Sequence, residues 1–309
     1  MIELRPLRVP DDFPALADML SAVAPGRFSL QSLIDDETRP TGVRYRVVAV
    51  NGSELCGYGL VRRRDSDPAG QFFVKVYTAV GARRQGIGSV LLEGVEAAAR
   101  RFGATRLETG VRDNEPDAVS FAERHGYVRR RHIFESVQDL TRFDPAAFAA
   151  DLARVAAQGI RLFTLADEPG EQSERKLHEL YSRTEQDVPG LELTPRPFEF
   201  WRQLVIERKG FRPEAVVIAA DGDRYVGCSV MIDMGVEDSL HVWMTGVDRA
   251  YRGRGIALAL KVVAAQSARA LGVKALCTNN DAENGPMLAV NRKLGFEPAP
   301  GQYLMEKQG

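Results

Sequence analysis

Two short segments carry the residue types that hold phosphate. RRQGIGS, Arg83–Ser89, and YRGRGIA, Tyr251–Ala257, each set glycines and arginines directly before a long apolar-periodic run. A strand, a glycine turn and a helix start make an anion site. The first-turn N–H groups have no intrahelical partner, and the helix dipole favours negative charge there. Glycine lets the backbone approach a phosphate closely and adopt positive φ. Arginine adds a forked donor. The candidate anion-holding residues are therefore Arg252, Gly253, Arg254, Gly255, Ile256 and Ala257. A second possible set is Arg83, Arg84, Gln85, Gly86, Ile87 and Gly88. Neither segment ends in GK[ST], and neither is GxGxxG.

The elements that must position these turns recur in order, and repeats are sought before folds. Gly86 and Gly255 lie 169 residues apart, as do Gly126 and Gly295. Each half opens with a short strand pattern (IELRPL, IRLFTL) and continues into helical spacing. Strand pairs follow, joined by NGSE or DGDR, which read as hairpin turns. Next come a longer strand (FFVKVYTAV, LHVWMTGV), the glycine segment and a long helix ending at Gly103 or Gly272. The join falls in DPAAFAADLARVAAQG, with Asp144 and Pro145 as helix start and Gly159 as stop. The expected domains are 1–158 and 159–309.

The pattern [Q/R]xxGx[G/A] after a strand and before a helix resembles motif A of the GNAT acetyltransferase superfamily. NEPDAVSFAERHGYV and NGPMLAVNRKLGFEP are similar to its motif B. Both motifs stand in order in both halves. The resemblance implies an α/β fold of the α+β mixed-sheet kind. Two tandem domains are expected, each a V-splayed mixed sheet of six or seven strands flanked by helices. It implies acetyl-CoA as cofactor. The backbone of Thr245, Gly246 and Val247 would pair with the pantetheine arm as an added strand does. Asn284 and Asn291 would hydrogen-bond it. In the first half the matching residues are Thr78 through Val80 and Asn114. The alternative reading of Asn114 and Asn284 is turn capping.

The implied chemistry is direct transfer of acetyl to an amine, which needs a base and often an acid. Family members often carry a carboxylate base on the fourth strand. Counting back from TGV and TAV puts that place at His241 in the second half and Val74 in the first. Histidine titrates near neutrality and can serve; valine cannot. The usual acid, a tyrosine before the motif B glycine, is replaced by Ala122 and Asn291. Tyr303 is the reserve candidate for acid, and Cys277 an alternative nucleophile. The second half is therefore expected to be catalytic and the first degenerate. The acceptor is expected under YSRTEQDVPGLELTPRPFEFW, with Asp187, Glu192 and Trp201 as substrate-binding residues. Carboxylates beside aromatic rings suit a cationic amine.

Composition narrows the partners. The 309 residues carry a net charge of −1, which gives no reason to expect nucleic acid or an anionic membrane. Three cysteines without a pairing pattern fit a reducing, cytoplasmic setting. No histidine spacing suggests a metal. The expected function is N-acetylation of a small-molecule amine or an amino terminus. A non-catalytic acyl-CoA-binding or sensing protein is the alternative, and monomer or homodimer stays open.

Overall fold

The computed structural model describes residues 2–25, 28–37, 42–65, 67–188 and 196–309. The chain order begins β1 (Ile2–Pro6), α1 (Phe13–Val23), α2 (Leu30–Glu37), β2 (Val43–Asn51), β3 (Glu54–Arg63) and β4 (Gln71–Thr78). It continues α3 (Ile87–Arg101), β5 (Arg106–Arg112), α4 (Pro116–Arg124), β6 (Val128–Asp139), α5 (Ala149–Ala156) and β7 (Ile160–Thr164). Then come α6 (Glu171–Glu185), α7 (Phe198–Val205), β8 (Val216–Asp221), β9 (Arg224–Ile232) and β10 (Ser239–Val247). It ends α8 (Ile256–Ala270), β11 (Ala275–Asp281), α9 (Gly285–Lys293), β12 (Glu297–Pro298) and β13 (Gln302–Gln308). Among the described residues, no helix is long and apolar enough to cross a membrane.

The chain divides into two compact units, and not at residue 158. Unit 1 is Met1–Arg131 with Gln302–Gly309; unit 2 is His132–Gly301. The unit 1 sheet runs β1-β2-β3-β4-β5-β13, and the unit 2 sheet runs β6-β11-β10-β9-β8-β7. In each sheet one central pair is parallel, β4 with β5 and β10 with β11. The other neighbouring strands within each sheet pair antiparallel. The mixed sheet expected from the sequence is present twice. The hairpins fall where Asn-Gly and Asp-Gly placed them, with Gly52 at φ 63° and Gly222 at φ 56°.

Strand alternation puts a core on each sheet face. In β2, Val47 and Ala49 join α3 in one cluster, while Val48 and Val50 join α1 in the other. In β8, Val217 and Ala219 pack with α8, and Val216, Ile218 and Ala220 with α6 and α7. The glycines at 57 and 227 let the long helix close on the sheet. A Cβ on Gly57 would meet Leu91 at 2.6 Å, and one on Gly227 would meet Leu260 at 2.9 Å.

Side-chain chemistry, not repeat order, decides which sheet takes the last strand. The β13 residues Gln302–Gln308 pair with Arg112–Arg106 of β5. Met305 is fully buried in the unit 1 core. Lys307 Nζ reaches both oxygens of buried Glu96, at 2.9 and 2.8 Å, and Tyr127 donates to the same carboxylate at 3.0 Å. In unit 2 the corresponding place is held by β6. There the Gln138 amide donates to the Leu294 carbonyl at 2.7 Å.

Lys307→Ala would leave the Glu96 carboxylate buried with Tyr127 and Arg100 alone. Losing one partner of a buried pair costs about 3 kcal/mol. Hydrogen exchange of the β5 and α3 amides should speed up accordingly. Unchanged protection would show that the pair does not anchor the strand.

Candidate active site

Parting of the parallel strands creates the first cleft. β4 and β5 pair only from Gln71–Phe73 to Arg106–Glu108. Beyond that point a cavity of about 560 Å³ opens, walled by Val74, Val76, Thr109, Val111, Leu92 and Ala122. The glycine turn lies at its mouth, where Thr78, Arg83, Arg84, Gly86 and Gly88 also line it. Arg84 and Gly86 have φ of 63° and 81°, the left-handed geometry that turns first-turn N–H groups toward a ligand. A Cβ on Gly88 would stand 3.4 Å from Phe121 and 3.5 Å from Thr78 Oγ1, an ordinary contact, and Ala257 holds the same place in unit 2. Three predicted side chains point elsewhere. Gln85 bonds the Gly81 carbonyl at 3.3 Å, Ile87 is core, and Val80 is exposed. Asn114 is exposed and accepts from Arg112 at 3.5 Å, while Glu115 takes the N-cap position of α4.

The second cleft has the same frame with different walls. β10 and β11 pair from Ser239–Val242 to Ala275–Thr278 and then part. Gly253 and Gly255 have φ of 77° and 85°. Strand pairing corrects the residue matching across β10. Thr78 lies opposite Gly57 and Val247 opposite Gly227, so Val247, not Thr245, corresponds to Thr78. An extra residue, Trp243, bulges out between Val242 and Met244. His241 therefore matches Phe73, not Val74, since each lies opposite the same β-strand position, Cys277 or Glu108. With that register the apolar wall of cleft 1 becomes polar. Leu92, Val111 and Ala122 are replaced by Lys261, Asn280 and Asn291, all buried.

His241 sits on the face that packs against α6, because its neighbours Leu240 and Val242 point into the α8 core. Cys277 pairs with it across the strands, and the Asn279 amide lies 3.4 Å from Nε2. Burial holds the imidazole pKa below its ordinary 6.5. Glu135 pulls the other way, and Lys261 adds to the lowering. The ring is thus neutral near pH 7 and able to take a proton. Burial also raises the Cys277 thiol, which makes it a poor nucleophile.

Several predicted roles meet different surroundings. Tyr303 lies on β13 in unit 1, opposite Val111, with Arg129 4.5 Å from its ring. His241 belongs to unit 2, so the two residues lie in different units. Asp187 is bonded to both Arg249 and Arg252. The Arg249 hydrogen bond is the main reason that its carboxyl is held below the usual range. Arg252 also donates to the Val247 carbonyl at 3.1 Å, so this pair stiffens the turn and is not free for an amine. Trp201 is 1% exposed, in the core with Tyr181 and Phe198. Glu192 lies outside the described residues. Asn284 caps α9, accepting from Met287 N at 3.4 Å. Arg254 stacks on Tyr251, and its carbonyl accepts from Gln158 at 3.2 Å.

Asn291 is 3% exposed, and its amide donates to Asn280 Oδ1 at 2.7 Å. Asn280 in turn donates to Ser136 Oγ at 2.8 Å. Asn291 Oδ1 has no partner among the described residues. Lys261, 2% exposed, was missed from sequence. Its ammonium lies 4.6 Å from the Phe296 ring, and burial alone depresses it to about 7. The signal was there to find. Lys261 interrupts the apolar stripe of LALKVVAA at the position where the first repeat has Leu92. Unpartnered buried polar groups fit a guest that carries amides, as the pantetheine arm does.

A parallel pair that parts above a glycine turn, twice in one chain, defines the class: an acyl-CoA-dependent transferase fold. A family model described as the acetyltransferase (GNAT) family matches residues 13–127, and one described as an acetyltransferase (GNAT) domain matches residues 148–282. The chain belongs to the GNAT family, with two GNAT domains in tandem, and is an acetyltransferase that uses acetyl-CoA. Two relatives named mycothiol acetyltransferase are similar to it. That of Kocuria rhizophila is 27% identical, covering 93% of this chain and 92% of its own. That of Geodermatophilus obscurus is 26% identical, covering 83% and 80%. Among solved structures, a GCN5-related N-acetyltransferase from Sphaerobacter thermophilus shares the fold with TM-score 0.73 and 22% identity, over 99% of this chain and 95% of that one. A tandem GNAT protein from the clavulanic acid biosynthesis pathway gives 0.68 and 20%, over 100% and 98%.

The Lys261 environment has a measurable consequence. Unfolded, the group titrates at 10.5; folded, at about 7. Between those values the unfolded chain holds the extra proton, so stability rises with pH across about 7 to 10.5. Below about 7 the penalty is fully present. Lys261→Met should remove this slope and stabilise the chain at neutral pH by about 1–4 kcal/mol. Denaturation midpoints against pH read both effects. Parallel curves for the two proteins would mean that the lysine is not depressed.

Proposed function

We propose that the chain N-acetylates a primary amine of a small molecule, with the chemistry in unit 2. The observation that carries this reading is His241. It stands beside the splay of β10 and β11, neutral by burial, where unit 1 has Phe73. When bound, acetyl-CoA supplies the acyl thioester. His241 takes the proton that the attacking amine gives up. The N–H groups of Gly255 through Ala257, at the start of α8, favour the pyrophosphate. Asn291 Oδ1 is left to accept from a pantetheine amide. The Asp187 bonds to Arg249 and Arg252 hold the turn in shape. The relatives named mycothiol acetyltransferase support a small-molecule acceptor over an amino terminus.

Unit 1 is proposed as a second acetyl-CoA site without turnover. Its cavity and glycine cradle suit the cofactor, but Phe73 cannot accept a proton. That unit alone supports the alternative of an acyl-CoA-binding module.

His241→Ala should lower kcat by about 10²- to 10⁴-fold with acetyl-CoA affinity kept. In wild type the acid limb of kcat/KM should fall with an apparent pKa below 6.5, because the base must be neutral and burial lowers it. Unchanged turnover in the variant, measured as thiol release with an amine panel, would remove His241 from the reaction.

A further inference from the structure

Resting on the reading that acetyl transfer runs in unit 2, we propose that Lys261 is the proton donor to the departing thiolate there. Three placements argue for it. First, Lys261 occupies the α8 position that corresponds to Leu92, and Leu92 lines the cavity of unit 1. Second, its ammonium faces Phe296, the counterpart of Tyr127, which lines the same cavity. Third, α8 packs on the sheet face opposite His241, since Leu240 and Val242 share its core and His241 alternates away. Base and acid thus flank the parted strands from opposite faces.

The charge environment suits the role. Lys261 is buried, and among the described residues no carboxylate neutralises it; burial alone moves its pKa. His241 is the titratable neighbour whose own proton affinity feels its charge. An ammonium held in a dry pocket gains most from a developing anion beside it. Unpaired buried charge is costly, and such cost concentrates at functional sites. The family's usual tyrosine is absent here, because Asn291 takes its place.

The step balances. The amine nitrogen forms the C–N bond as the C–S bond breaks, and the electron pair leaves on sulfur. His241 receives the proton from nitrogen. Lys261 gives a proton to sulfur, so coenzyme A departs as the free thiol. Solvent restores the Lys261 ammonium and takes the proton from His241. A neutral amine therefore gives amide and free thiol with no net proton, and an amine that arrives as ammonium releases one.

The test reads the thiol and not turnover. Coenzyme A is bound to the Gly86→Glu protein, in which unit 1 is blocked, and thiolate is followed by ultraviolet absorbance against pH. The same titration is run with Lys261→Met and with Lys261→Leu added; the latter restores the residue of unit 1. If Lys261 faces the sulfur, the bound thiol should ionise about one pH unit or more lower with the lysine than without it. Bound coenzyme A with the same thiol titration in all three proteins overturns the role of Lys261 alone. No coenzyme A bound to Gly86→Glu overturns the unit 2 reading, and this inference with it.

Discussion

A parallel pair of strands that parts leaves backbone donors and acceptors facing a wedge, and each needs a partner. Both units are organised around that constraint. In unit 1 the Lys75 ammonium crosses the wedge to the Gly110 carbonyl. In unit 2 the Thr278 hydroxyl donates to the Val242 carbonyl at 3.2 Å, just where pairing ends. The remaining edge is open to an extended guest with amides of its own. The glycine turn sits where such a guest would bring its phosphates, and the long helix behind it is clamped to the sheet through Gly57 or Gly227. One opening therefore fixes cofactor, orientation and reacting end.

The two copies of this device have diverged in their walls. Cleft 1 is apolar, with Leu92, Val111 and Ala122 around its cavity. Cleft 2 places Lys261, Asn280 and Asn291 at the same positions, linked in part through Ser136. Buried polar groups need partners or carry a cost. Among the described residues, cleft 2 keeps an orphaned acceptor and an ammonium without a carboxylate partner on one wall, where cleft 1 has apolar side chains. The proposed division, with unit 1 holding and unit 2 reacting, follows from this difference.

Much of the fold was legible because it rests on local rules. Asn-Gly and Asp-Gly gave the hairpins, and the glycines with positive φ marked turns and helix ends. The unit boundary was not legible. The repeat shows which residues correspond, but the sheet that takes β13 is chosen by a long-range pair, Lys307 with Glu96. The site was legible to the same extent. Glycine turns leave a mark in sequence. The bulge at Trp243 does not; setting TGV against TAV is two residues out at Val247, and the bulge leaves a slip of one residue at His241. Asp187 and Trp201 have the right types for an amine site, yet one is held by two arginines and the other is core. Lys261 was hidden because charge on a helix usually means a solvated face.

The most direct measurement is calorimetric titration with acetyl-CoA, coupled to turnover with an amine, for wild type, Gly86→Glu and Gly255→Glu. An acidic side chain at either turn is strained at positive φ and repels phosphate. The account predicts that each substitution removes one of two binding events and that only Gly255→Glu abolishes turnover. Turnover that survives Gly255→Glu and fails with Gly86→Glu would place the chemistry in unit 1 and contradict the account.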